Sequence, residues 1–326
     1  MSVGKESLEL VDTQKKDGDP RKFKYIHGLF KRHPHILPLW RDFGLMVRAT
    51  DEGKKGRQHM VTEHMIAVAA GSRSLGLMFQ EKNLLTEIDV GQIEEAGLVH
   101  DTSKIVEVLL VQAASEKDPD IEKIEALVHG DDIIADSRLL TKHTSYYLTL
   151  ISDPSRSSGL RAVSAFDYAG VINDLRLKAK GVDEQVRAIA GAEAFHACPE
   201  IERLLLNYDA YDPADKEMAL KMFILHYVDN IVTNPNRIEP AITVDEQGNG
   251  LNAVDRRALQ NENNPNYTWN QGWRENPFHN GETAMDIQRR VSHSLEIFFA
   301  GLLRIEDPLM MPAIIDNGIQ KIIQNS

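Results

Sequence analysis

The chain has 326 residues, of which 42% are apolar, enough for a packed core in one large helical domain or two smaller ones and too apolar for a disordered chain. Its formal net charge of -12 argues against a broad nucleic-acid-binding surface. It leaves room for a phosphorylated substrate, since a metal and a few local cations can outweigh the global charge.

Residues 1–20 read as a flexible N-terminal tail, with little to bury and both charge signs interspersed. They lack the apolar centre of a secretion signal, and no apolar run in the chain reaches membrane-spanning length, so the expectation is a cytoplasmic protein with no membrane partner. Residues 21–54 form an N-terminal docking segment. Its basic stretch 21–35 is interrupted by Phe23, Tyr25, Ile26, Leu29 and Phe30, which supply an apolar side to pack on the main domain, while Pro34 and Pro38 limit helix.

The main domain is expected over 55–235. From His59 to Phe79, Met60, His64, Val68, Gly71, Leu75 and Met78 recur at helical spacing and place His64 on the inward stripe. A second helical stretch, Ile93 to Ala114, carries Ile93, Ala96, Gly97, His100, Lys104, Val108 and Val111 on related faces, with Asp101 one residue round from His100. Neighbouring helical residues point about 100° apart, so both reach one ion only if it lies over the edge between them. A turn at Asp118-Pro119-Asp120 precedes a short helical run ending at His129, and a further helix over 133–151 carries His143. Helices follow at 160–177, around 183–192, over an apolar run ended by Asp212-Pro213, and over 215–232, which contains Asp229. No long alternating pattern competes, so the fold is expected to be all-α.

Residues 236–326 read as a long loop and a C-terminal helical extension packed on the core. The loop, 245–282, sets Tyr267, Trp269, Trp273 and Phe278 among polar residues and serves either as a lid or as a structural wrap. An amphipathic helix over 283–305 and a short element over 314–323 close the chain. The apolar C-terminal helix permits a homo-oligomer without requiring one.

Histidine beside aspartate in an apolar helix needs a reason, because a carboxylate is costly to bury without a partner. A divalent metal supplies one. His64, His100, Asp101 and Asp229 offer two imidazoles and two carboxylates, a nitrogen and oxygen set suited to zinc, manganese or iron. The single cysteine, Cys198, excludes a thiolate-rich cluster or an intrachain disulfide.

The ordered set, carried by Thr62-Glu63-His64, Leu98-Val99-His100-Asp101 and the distant Asp229, resembles the HD-domain metal-dependent phosphohydrolase superfamily over residues 55–235. The resemblance implies an HD-domain-like helical core and one or two divalent ions (Mn, Zn, Fe, Co, Ni or Mg). It also implies hydrolysis of a phosphoester in a nucleotide or other small phosphorylated metabolite. His64, His100, Asp101 and Asp229 would be the ligands, with Asp167 and Asp174 as other acidic residues in predicted helices. Asp101 would also orient the attacking water, and Lys104 would meet a phosphate oxygen or else pair with Glu63, Glu94 or Asp101. Arg57, at the start of the first ligand helix, would be a second phosphate contact. In some relatives further histidines hold a second metal bridged by the Asp; His129 and His143 would fill that role here, or serve as acid, base or substrate contacts at a mononuclear site. Glu63 would support His64 from behind.

Three other readings stay open: a cyclic-nucleotide or dinucleotide phosphodiesterase with two metals, a di-iron oxygenase, and a regulatory or binding module that keeps the metal without turnover. Walker, dinucleotide-binding and His-Glu-x-x-His motifs are missing, which weighs against ATPase, dehydrogenase and zinc-peptidase functions.

Overall fold

A computed structural model describes residues 20–45, 55–115, 122, 146–153, 155–192, 198–232, 243–244, 250–251, 281–282 and 284–325. The fold is all-α. In order come α1 (Pro20–Arg32), α2 (Ile36–Asp42), α3 (Lys55–Glu81), α4 (Glu87–Val99), α5 (Lys104–Ser115), α6 (Ser158–Ala179), α7 (Glu184–Gly191), α8 (Cys198–Leu206), α9 (Pro213–Ile231), α10 (Ala284–Leu303) and α11 (Met311–Asn325). A helical segment also spans 146–152. One short antiparallel pairing, Thr243–Val244 with Gly250–Leu251, is the strand structure among the described residues. No helix among them is long and apolar enough to cross a membrane.

The N-terminal prolines restrict helix less than the sequence predicts. Pro34 lies in the turn between α1 and α2, and Pro38 lies in the first turn of α2. Backbone N–H groups in a first turn have no partner inside the helix, so proline removes nothing there. The apolar faces of these helices, through Tyr25, Leu29, Phe30, Ile36 and Trp40, enter the same buried cluster as Val68 and Phe79 of α3, Leu98 of α4, Phe223 and Val228 of α9, and Phe299 and Ile315 of α10 and α11.

α3 is the spine of this cluster, packing against α4, α9 and α11. Glycines permit its closest approaches, and a Cβ on Gly318 of α11 would overlap Ser74 of α3. A Cβ on Gly97 of α4 would stand 2.8 Å from the backbone of Ala69, and one on Gly71 would stand 2.7 Å from Val228 of α9. A smaller cluster joins α5 to α6 through Leu110, Ala113, Ala114, Ala165, Tyr168 and Ile172.

The 93–114 stretch is two helices rather than one. α4 starts earlier, where Thr86 and Asp89 bond each other's backbone reciprocally across the first turn. It stops at Val99, and residues 100–103 form a turn before α5. The helix carrying Asp229 begins at Asp212, whose carboxylate accepts from the N–H groups of Ala214 and Asp215, with Pro213 in the first position. Its buried Lys221 donates to Asp89 at 2.8 Å and to Gln92 at 3.1 Å, tying α9 to α4. Farther along, the Tyr227 hydroxyl donates to Glu296 of α10 at 2.9 Å.

Candidate metal centre

The end of α4 explains why a His-Asp pair can sit in a sharp turn inside the protein. The last carbonyls of a helix have no partner within it and must find one elsewhere when buried. Here Gly97 O lies 2.9 Å from Nδ1 of His100, and Leu98 O accepts from the Trp40 indole at 2.8 Å. Val99 O accepts from the backbone N–H of Thr102 and from the Asn173 amide, each at 3.3 Å, and His100 O accepts from the same Asn173 amide of α6 at 2.7 Å. Thr102 donates in turn to Asn173 Oδ1 at 2.6 Å. The turn is therefore closed by side chains from α2 and α6, not by more helix.

This arrangement fixes the protonation of one imidazole. A carbonyl can only accept, so Nδ1 of His100 carries the hydrogen and neutral His100 keeps its lone pair on Nε2. That Nε2 lies 3.3 Å from Nε2 of His64 and 3.4 Å from Oδ1 of Asp229. His64 Nε2 lies 2.8 Å from the same Asp229 oxygen, and both imidazoles lie 3.9 Å from Oδ2 of Asp101. His64 comes from α3, His100 and Asp101 from the turn, and Asp229 from α9.

The ligand atoms of His64, His100 and Asp101 all lie within 4.8 Å of one another, so this cluster could hold a metal ion. Nitrogen and oxygen ligands bound at about 2.0–2.2 Å to one zinc ion stand roughly 3–4 Å apart, a spacing that His64, His100 and Asp101 match, while Asp229 sits at hydrogen-bond distance, 2.8 Å, from His64. The carbonyl behind His100 is the orienting partner that metal-bound histidines usually have. The donor set fits a divalent ion.

The electrostatics agree with a site that favours carboxylate anions. Burial alone would raise Asp101, but Lys104 and the two histidines outweigh it and hold its carboxyl below the usual range. Asp229 is held well below it despite its burial, by the His100 and His64 imidazoles against which it packs.

Of the other residues expected from the sequence, Lys104 is at the site. Its ammonium lies 3.4 Å from Asp101 Oδ1 and 2.8 Å from Glu107 Oε1. Asp174 instead pairs with Arg187, and Asp167 lies near Tyr147. Arg57 and Glu63 are in α3, but their side chains lie outside the described residues, as do His129, His143 and the aromatic stretch 267–278.

Three participants escaped sequence reasoning: Trp40, Asn173 and Glu107. None of them carried a readable signal: Asn173 lies in a helix that also holds Asp167, Asp174 and Arg176. Glu107 and Lys104 line a small cleft of about 20 Å³ together with His100, Asp101, Ser103, Phe166, Gly170 and Asn173.

Comparison with protein-family models, with curated proteins and with solved structures finds no match to this chain.

Proposed function

We propose that this protein is a metal-dependent phosphohydrolase of the HD-domain kind, acting on a nucleotide or another small phosphorylated metabolite. The observation that carries the reading is the convergence of His64, His100 and Asp229 within 3.4 Å contacts, beside the paired Asp101 and Lys104. When bound, a divalent ion supplies charge neutralisation for the phosphoryl group and a more acidic water.

The chain's own residues supply the rest. His64, His100, Asp101 and Asp229 hold the ion, with His100 kept in one tautomer by Gly97 O. Lys104 stands at the mouth of the cleft over the Phe166 ring, 5.6 Å from its centroid, where a phosphate oxygen would compete for its ammonium. A point charge on a flexible stem suits that contact without dictating the leaving group.

Hydrolysis of a panel of nucleoside monophosphates and 4-nitrophenyl phosphate, with manganese, zinc, iron, cobalt, nickel or magnesium added in turn, tests the reading. His100→Ala and Asp101→Ala should each lower turnover by more than about 100-fold, the upper range for groups that only support a metal ligand. Wild-type activity surviving in both variants would contradict it.

A further inference from the structure

Glu107 is a carboxylate in the cleft that neither the ligand set nor the phosphate contact uses. It lies one helical turn beyond Lys104 on α5, with a side chain only 14% exposed. Its side-chain partner is the Lys104 ammonium at 2.8 Å, and the same ammonium also serves Asp101 at 3.4 Å. One cation is therefore shared by two carboxylates. The cleft that Asp101 and Glu107 line has a volume of about 20 Å³. A polar space of roughly 10–15 Å³ or more is enough for one water molecule.

Resting on the phosphohydrolase reading, we propose that Glu107 is the general base of the reaction, taking a proton from the attacking water held in this cleft between it and Asp101. A carboxylate engaged as a metal ligand is a weak base, which leaves the proton to the second one. The water's O–H bond breaks and its proton passes to the Glu107 carboxylate. The water oxygen bonds to phosphorus as the ester P–O bond breaks. The departing oxygen takes a proton from solvent, and Glu107 returns its own, so one water is consumed and the enzyme is unchanged.

The surroundings support the role. Burial pushes the Glu107 carboxyl up, Lys104 pulls it down, and the charges of Asp101 and Asp229 raise it again, leaving it at about 7 in the metal-free chain. A divalent ion on Asp101 and Asp229 would cancel that last effect and draw the carboxyl lower, so that it is ionised and able to accept a proton at neutral pH. On the packed α6, Arg161 donates to Ala114 O and Arg156 O, and Arg176 donates to Ser103 Oγ in the wall of the cleft. Phe166 makes the apolar wall.

The test compares wild type, Glu107→Ala and Glu107→Gln on 4-nitrophenyl phosphate and adenosine monophosphate, with metal content measured on each. Glu107→Ala should lose about 10²- to 10⁴-fold in kcat with metal content and KM little changed, and added formate should restore part of the loss. Glu107→Gln, which keeps the side chain's shape, should lose as much and gain nothing from formate. Metal-free wild type should also show a protonated-carboxyl infrared band that bleaches as pH rises through about 7 and is missing from Glu107→Gln. Full kcat in Glu107→Gln, or a loss in Glu107→Ala that formate leaves untouched at normal metal content, overturns the role of Glu107 while the phosphohydrolase reading stands. A metal-loaded wild type that cleaves neither ester overturns both.

Discussion

At the scale of single residues, His33 shows how a buried titratable group fastens one part of the chain to another. Its two ring nitrogens face Glu94 at 3.1 Å and Glu95 at 3.3 Å, both on α4, and His35 adds a contact to Glu95 at 2.9 Å. Only the imidazolium can donate from both nitrogens at once. Burial lowers the proton affinity of His33, but the two carboxylates together outweigh it, so its value is raised above that of a free histidine. The folded state thus holds this proton more tightly than the unfolded chain does. The stabilisation is complete below the ordinary value of about 6.5 and is lost as pH climbs through the raised one. Glu95 is held down to about 2, so it stays ionised throughout that window. Wild type should therefore lose urea stability as pH rises above about 6.5, and His33→Gln should show a flatter profile. Identical slopes in the two proteins would rule out the clasp.

At the scale of elements, the end of α4 carries the argument. The residues of the His-Asp pair were legible from types and order, but their geometry was not. A continuous helix separates neighbouring side chains by about 100°, whereas the turn at 100–103 lets both face one point. That turn depends on Trp40 and Asn173, which lie far from it in sequence, so local periodicity carries no trace of it. Pro38 reads as a limit on helix, and the Thr86-Asp89 cap is overlooked, for a different reason: the helices they start are short or weakly amphipathic, and the signal is in the first turn alone. Gly97 sets how near α4 comes to α3, and with it the distance between His100 and His64. Gly97→Ala would force a Cβ against the Ala69 backbone at 2.8 Å and should cost about 1–3 kcal/mol of stability together with metal affinity. Gly91 of the same helix has nothing within 4 Å of the corresponding position, and Gly91→Ala should be neutral or stabilising by up to ~1 kcal/mol. Urea unfolding and metal titration of the two variants check this; equal behaviour would refute the close approach as its cause.

At the scale of the molecule, the all-α class was readable because long helical periodicities had no alternating rival. Which helices share a core was not readable, since apolar stripes do not name their partners. Lys221 illustrates the gap. Its position in the sequence names no partner, yet it is 1% exposed and bound to Asp89, holding α9 where Asp229 meets His64. The candidate site thus joins α3, the end of α4 and α9, three elements of one buried cluster. The central claim is that these four side chains hold a divalent ion, and metal content per chain tests it most directly. The protein should be purified without added metal beside Asp101→Ala. The account predicts one or more divalent ions per wild-type chain and their loss in the variant. Wild type that stays empty after reconstitution with manganese, zinc, iron and nickel would contradict it.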